Sequence, residues 1–198
     1  MMEKKSRFIA NCIPVYSIEE AENFINQIKK THHTATHNVF AYRVFAENKI
    51  AERQSDDGEP SGTAGFPILN VLRGEDIVNA AAVVTRYYGG VLLGTGGLAR
   101  AYSGSAKEGI TVAGIIEKIL YQTLFVKVDN TLLGKVRYET LQREHIIDDT
   151  IYTDVVEFKI LVKIPEVEVF VKAIINTTAG NAAVVYGELS YLNSQPQY

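Results

Sequence analysis

The stretch Ala80-Ala81-Ala82-Val83-Val84-Thr85-Arg86-Tyr87-Tyr88 constrains this chain most. Its first five residues are apolar on both faces of an extended strand. A strand of that kind is read as buried, because neither face is suited to water. Directly behind it, Gly89-Gly90-Val91-Leu92-Leu93-Gly94-Thr95-Gly96-Gly97 leads into a helix expected near 97–113. Its spacing predicts that Leu98, Ala101, Tyr102, Ser105, Gly109 and Val112 are buried.

The remaining elements of the first half follow from period and punctuation. Residues 7–13 read as a strand that carries Cys12, taken here as a buried apolar thiol. Ser17-Ile18-Glu19-Glu20 fits a capping box. Ile18, Ala21, Phe24, Ile25 and Ile28 then mark one face of a helix over 18–30. Residues 38–45 and 49–53 read as strands around a short turn. A polar segment follows, Ser55-Asp56-Asp57-Gly58-Glu59-Pro60-Ser61-Gly62-Thr63-Ala64-Gly65, and then a short helix over 66–72 that ends at Gly74.

Residues 114–118 read as a connector. Beyond it the pattern is strand 119–128, helix 131–144, strand 153–164, helix 166–177 and strand 182–192, with a further short strand available at 146–151. Val167, Phe170, Val171, Ile174 and Ile175 mark a one-sided helix. The order β-α-β-β-α-β is that of a ferredoxin-like domain. The expectation is therefore an α+β protein of two domains, 1–115 and 119–198. His145, Asp148 and Asp149 are read as a solvated turn.

Composition excludes several classes. The formal net charge is -3; residues 1–117 hold 12 Lys/Arg and 13 Asp/Glu, and the remainder 8 and 10. Neither half is a basic module, so any nucleic-acid contact must come from a local patch. Sequence-specific DNA binding is not expected. The single cysteine rules out an internal disulfide and any paired-cysteine site. No apolar run reaches the roughly 18 residues a membrane span requires, and Lys4, Lys5 and Arg7 precede no apolar leader segment. A cytoplasmic protein is expected.

Two loops, 55–65 and 89–97, carry the chemistry-bearing residues, and loops held by rigid elements are where function concentrates. Gly94-x-Gly96-x-x-Ala99 matches the glycine spacing of a dinucleotide fingerprint, but the strand ends some five residues too early. The glycines serve tight turns and close packing, or they expose backbone N–H groups to an anion. Asp56, Asp57 and Glu59 are candidate acids and bases or magnesium ligands, or an ordinary acidic turn. Ser61, Thr63 and Ser103 are nucleophiles only beside a base, for which His37 is the candidate. His32 and His33 are expected exposed at a helix C-terminus. Arg86, Tyr87 and Arg100 suit a phosphate, an RNA backbone or an acidic peptide. No metal or cofactor is expected.

The motif 56–69 and the motif Val84-Thr85-Arg86-Tyr87-Tyr88-Gly89-Gly90-x-x-Leu93-Gly94-x-Gly96-Gly97-Leu98-x-Arg100-Ala101-Tyr102, with Ser6-Arg7-Phe8 and His37-Asn38, resemble the IMPACT/YigZ family. Val39 stands where relatives often have Cys, and Tyr88 where many have Phe. The resemblance implies a first domain that is a two-layer α/β sandwich, like the second domain of a small-subunit ribosomal protein. It implies a second domain like a ferredoxin-like domain of elongation factor G. Eukaryotic relatives accompany control of translation under amino-acid starvation through a ribosome-associated partner.

Residues and resemblance together predict a non-enzymatic binding protein associated with translation or its regulation. It would contact RNA or a ribosomal partner through Arg7, His37, Asp56, Asp57, Glu59, Ser61, Thr63, Arg86, Tyr87, Gly89, Gly90, Gly94, Gly96, Gly97 and Arg100. The alternative is an enzyme or binder acting on a phosphorylated small molecule or nucleotide, with His37, Asp57 and Glu59 as its candidate catalytic groups.

Overall fold

A computed structural model describes residues 1–194. Met1–Ile115 form one unit, and a second begins at Ile116. The first holds, in chain order, strands β1 (Met2–Glu3) and β2 (Ser6–Pro14), helix α1 (Ile18–Thr31), strands β3 (His37–Ala46) and β4 (Lys49–Ser55), helix α2 (Gly65–Gly74), strand β5 (Ala80–Tyr87) and helix α3 (Thr95–Ala113). The strands form one antiparallel sheet in the order β1-β2-β5-β3-β4, with β5 at its centre.

Period-two alternation sends the apolar residues of β5 to both sides. Ala81 and Val83 join Phe24, Ile25 and Ile28 of α1 in one core cluster. Ala82 and Val84 join Ile68, Leu72, Leu98, Tyr102 and Ala106 of α2 and α3 in another. The unit therefore has three layers, which corrects the two-layer expectation. A strand apolar on both faces needs a helix on each.

Local signals account for the helix positions. Ser17 Oγ accepts from Glu20 N at 3.0 Å, and the Glu20 carboxylate takes the Tyr16 N–H at 2.7 Å, which starts α1. Gly94 O accepts from Leu98 N at 2.9 Å, so α3 begins two residues earlier than its apolar pattern suggests. The close approach of α3 to β2 rests on Gly109: a Cβ there would sit 2.7 Å from Ala10 Cβ and 3.2 Å from Cys12 Sγ. Val112, expected in the core, is exposed and flanks a groove beside β2; Ile110 is the last core residue of α3.

The second unit comprises β6 (Lys118–Val128), α4 (Leu133–Gln142), β7 (Ile146–Tyr152), β8 (Val156–Lys163), α5 (Val167–Thr177) and β9 (Ala183–Asn193), with a 3-10 turn before each helix. Its antiparallel sheet runs β7-β8-β6-β9. One sheet face and both helices enclose Leu124, Val126, Phe158, Ile160, Phe170 and Ile174. Helix α4 is shorter at both ends than expected, and β8 begins at Val156 because Thr153 Oγ1 and the Thr153 N–H both donate to Val155 O and close a turn. His145 is not in a solvated turn: it is buried, with its ring edge-on to Phe170 at 4.5 Å. Asp148 pairs with Lys159 at 2.7 Å.

Candidate functional site

Strand register sets the site. Phe8 and His37 both stand opposite Arg86, one on β2 and one on β3, so the three side chains share the sheet face that carries α2 and α3. The Arg86 guanidinium lies 5.5 Å from the Phe8 ring centroid and 5.3 Å from that of Tyr88. Its Nη1 donates to Glu59 Oε1 at 2.6 Å and its Nη2 to Ser6 Oγ at 3.2 Å. Ser6 Oγ also accepts the Gly89 N–H at 3.3 Å. Tyr102 OH donates to the same Glu59 oxygen at 2.7 Å. Arg86 Nε is buried without a partner among the described residues.

Arg86 and Glu59 are 4% and 8% exposed. A buried ion pair holds only when each charge is satisfied in good geometry, and Tyr102 and Ser6 supply the extra hydrogen bonds. Burial, then the bond to Glu59, pushes the Tyr102 phenol far above its ordinary range, so it stays a donor. His37 Nδ1 lies 2.8 Å from Asp57 O, and a carbonyl only accepts, so Nδ1 carries the proton. Its Nε2 is 3.8 Å from Glu59 Oε1.

The acidic loop is spent on folding. Asp56 Oδ1 accepts from Ala64 N at 2.9 Å and Gly65 N at 2.8 Å, and Oδ2 accepts from Gly62 N at 2.8 Å. It serves as the cap of α2, whose own N-cap residue, Ala64, has no side-chain oxygen to offer. Asp57 accepts from Asn38 N at 2.7 Å and from Lys29 Nζ at 2.6 Å. Thr63 Oγ1 donates to Pro60 O at 2.6 Å and Ser103 Oγ to Ala99 O at 2.8 Å, while His37 is turned to Asp57 and Glu59. The serine or threonine beside a histidine base that the sequence admitted is not assembled from these groups. Ser61 is exposed.

Among the 55–65 and 89–97 loops, Glu59 reaches Arg86 and Tyr102, and the link to Gly89 runs through Arg86 and Ser6. Gly89 is wedged in place: a Cβ there would fall 2.0 Å from Lys5 O. Gly90 and Gly94 have positive φ, and Gly96 and Gly97 lie in the first turn of α3, which has no side-chain cap. Arg100 Nη1 lies 3.5 Å from where a Gly96 Cβ would stand. The loop tip is apolar; Leu92 is 81% and Tyr88 44% exposed. Arg86 differs from expectation: it does not reach solvent and cannot grip a phosphate backbone. Arg7 does reach solvent, with its Cζ 4.7 Å from the Tyr87 ring centroid.

The Impact N-terminal domain family matches residues 4–110, more than half of the chain. The chain belongs to the IMPACT family. Residues 126–181 match a domain of unknown function, DUF1949. The IMPACT family member YvyE of Bacillus subtilis is 42% identical over 189 residues, 96% of this chain and 87% of its own length. YigZ of Escherichia coli is 43% identical over 108 residues, 54% of this chain and 53% of that protein. Rat Protein IMPACT is 34% identical over 96 residues, 46% of this chain; the match spans 30% of the rat protein. A solved structure titled as that of a hypothetical protein superimposes with a TM-score of 0.57 at 29% identity, covering 95% of this chain and 92% of that one.

The residues that sequence reasoning left out of the site are Ser6, Lys29, His32 and Tyr102. Ser6 and Tyr102 stood inside the IMPACT motifs, but their partners are 80 and 43 residues away, so no local pattern announced them. His32 was expected to be solvated; it is half-buried, with Nδ1 2.9 Å from Tyr87 OH.

Proposed function

We propose that this IMPACT-family chain is a non-enzymatic binding protein that works with the translation apparatus, contacting RNA or a ribosome-associated partner with the surface of its first unit. One observation carries the reading. Asp56, Asp57, Glu59 and Arg86 are already engaged by backbone amides, Lys29, Tyr102 and one another. Acid–base chemistry requires a group placed to exchange a proton with a substrate; these groups instead brace a surface. On the first unit Arg7, Tyr88, Leu92 and Arg100 are exposed and available to a partner.

The link to translation comes from the family resemblance. The β-α-β-β-α-β succession and the β7-β8-β6-β9 sheet support reading the second unit as ferredoxin-like, akin to a domain of elongation factor G. The likeness of the first unit to a ribosomal-protein domain rests on the resemblance. The two units are proposed to be independent domains. A cytoplasmic site of action fits such partners; among the described residues no helix is long and apolar enough to cross a membrane.

The second reading, a binder of or enzyme for a phosphorylated small molecule, draws on the uncapped start of α3 beside Arg100. An affinity pull-down from RNase-treated and untreated lysate, with a nucleotide-binding panel alongside, separates the two. Ribosomal components retained on the chain support the first reading. Retention of none, with saturable binding of a nucleotide, supports the second.

A further inference from the structure

A basic and aromatic face gathers at one end of the first sheet, apart from the buried Arg86 network. The β1–β2 turn is Lys4-Lys5, both residues at positive φ, and it packs against Gly89 at the end of β5. Arg7 stands opposite Tyr87 in the strand register and lays its guanidinium over that ring. Tyr87 OH meets His32 Nδ1 at the C-terminus of α1. Thr36 ties the same segment to β5: its N–H donates to Arg86 O and its Oγ1 accepts from Tyr88 N. His33 lies next, its Nδ1 3.2 Å from Lys30 O.

Lys4, Lys5, Arg7, Lys30 and His33 are all exposed. The Asp57 carboxylate nearby is already taken by Lys29 and Asn38. On a chain of net charge -3 this is a local concentration of positive charge, and the charge count of the sequence hides it because the lysines come from two segments more than twenty residues apart.

We propose that this face, Lys4, Lys5, Arg7, Lys30 and His33 around Tyr87, is a binding site for single-stranded RNA. The proposal rests on the RNA-binding reading of the function and gives it a location. Lysines contact phosphates as point charges, while a guanidinium held over a tyrosine ring offers a forked phosphate contact, and arginine and aromatic groups are those on which unpaired bases stack. A duplex keeps its bases stacked inside and would use the lysines only.

The test is fluorescence anisotropy of a labelled twelve-nucleotide single-stranded RNA with the full chain, across a salt series. The variants are Arg7→Gln and the triple Lys4→Gln/Lys5→Gln/Lys30→Gln, whose lysines are surface residues. Lys135→Gln/Lys172→Gln, two exposed lysines of the second unit, is the control. Every phosphate left without its lysine lowers the salt slope by about 0.7. The triple variant is expected to weaken binding on the order of tenfold and to lower the slope by up to about 2, with the control unchanged. Arg7→Gln is expected to weaken single-stranded RNA more than a duplex of equal length. Equal loss in control and triple variant, or full RNA binding by the triple variant, overturns the proposal and leaves the broader function standing. Ribosome association without RNA binding overturns it in favour of a protein partner. Neither RNA nor ribosomal association by the wild-type chain overturns the function itself.

Discussion

Arg86 Nη1 meets Glu59 Oε1 at 2.6 Å where both side chains are almost fully buried, and Tyr102 OH closes on the same oxygen. This pair joins β5 to the acidic loop and that loop to α3. Removing one partner leaves the other charged and dry. Arg86→Ala is therefore expected to cost about 3–5 kcal/mol, whereas Tyr102→Phe, which removes one hydrogen bond and keeps the ring against Phe8, should cost about 1–2 kcal/mol. Urea unfolding of the two variants measures both. Equal, small losses would mean that the pair is not held as a buried charge pair.

The glycines at 89 and 90 are predicted to respond differently to alanine. At Gly89 a Cβ would meet backbone, 2.0 Å from Lys5 O and 2.6 Å from Ser6 N, so the Lys4-Lys5 turn must move. At Gly90 the surroundings are open and only the φ of +81° resists. Gly89→Ala should cost more than about 2 kcal/mol and Gly90→Ala about 1 kcal/mol. Thermal unfolding of the two variants gives the order, and a larger loss at Gly90 would contradict it.

Cys12 is half-buried beneath Gly109, and burial pushes its thiol up to about 11. The thiolate is the reactive form. At pH 7.5 a thiol-specific reagent should label the native chain far more slowly than the urea-unfolded one. Comparable rates would mean that the β2–α3 contact opens readily.

His145, packed against Phe170, is expected to contribute pH dependence to the second unit below neutrality. Burial, which outweighs the nearby Glu166 carboxylate, lowers its tendency to protonate in the fold. Below the ordinary histidine pKa the unfolded chain therefore binds the proton more readily than the folded one. Stability is fully present above about pH 6.5 and falls as pH drops below that value, until the folded-state pKa is passed. His145→Gln should flatten this dependence in unfolding curves between pH 7 and pH 5. An unchanged slope would assign it elsewhere.

Most elements were legible in the sequence because they depend on local patterns: Ser17 and Glu20 announced α1, and the double-sided apolar run announced β5, whereas the two-residue β1, which exists only by pairing with β2, was not. The third layer was not legible, since the same run does not say which helices cover it. The site was half legible. Glycine and acid spacing marked the two loops, but whether Asp56 grips a ligand or its own helix depends on where Ala64 and Gly65 N–H point, and that is set by tertiary structure. Arg86 was misplaced for the same reason. A strand end can surface or stay covered, and the cover here is Glu59, 27 residues away, with Phe8 and Tyr88 on the guanidinium.

The first unit is proposed to bind the translation apparatus through its surface. Co-sedimentation of the purified chain with purified ribosomes, at low and at high salt, tests it most directly. The wild-type chain is expected to pellet with ribosomes at low salt and to be released as salt rises, and the Lys4→Gln/Lys5→Gln/Lys30→Gln variant to be released at lower salt. A wild-type chain that stays in the supernatant at every salt concentration, while remaining folded, would contradict it.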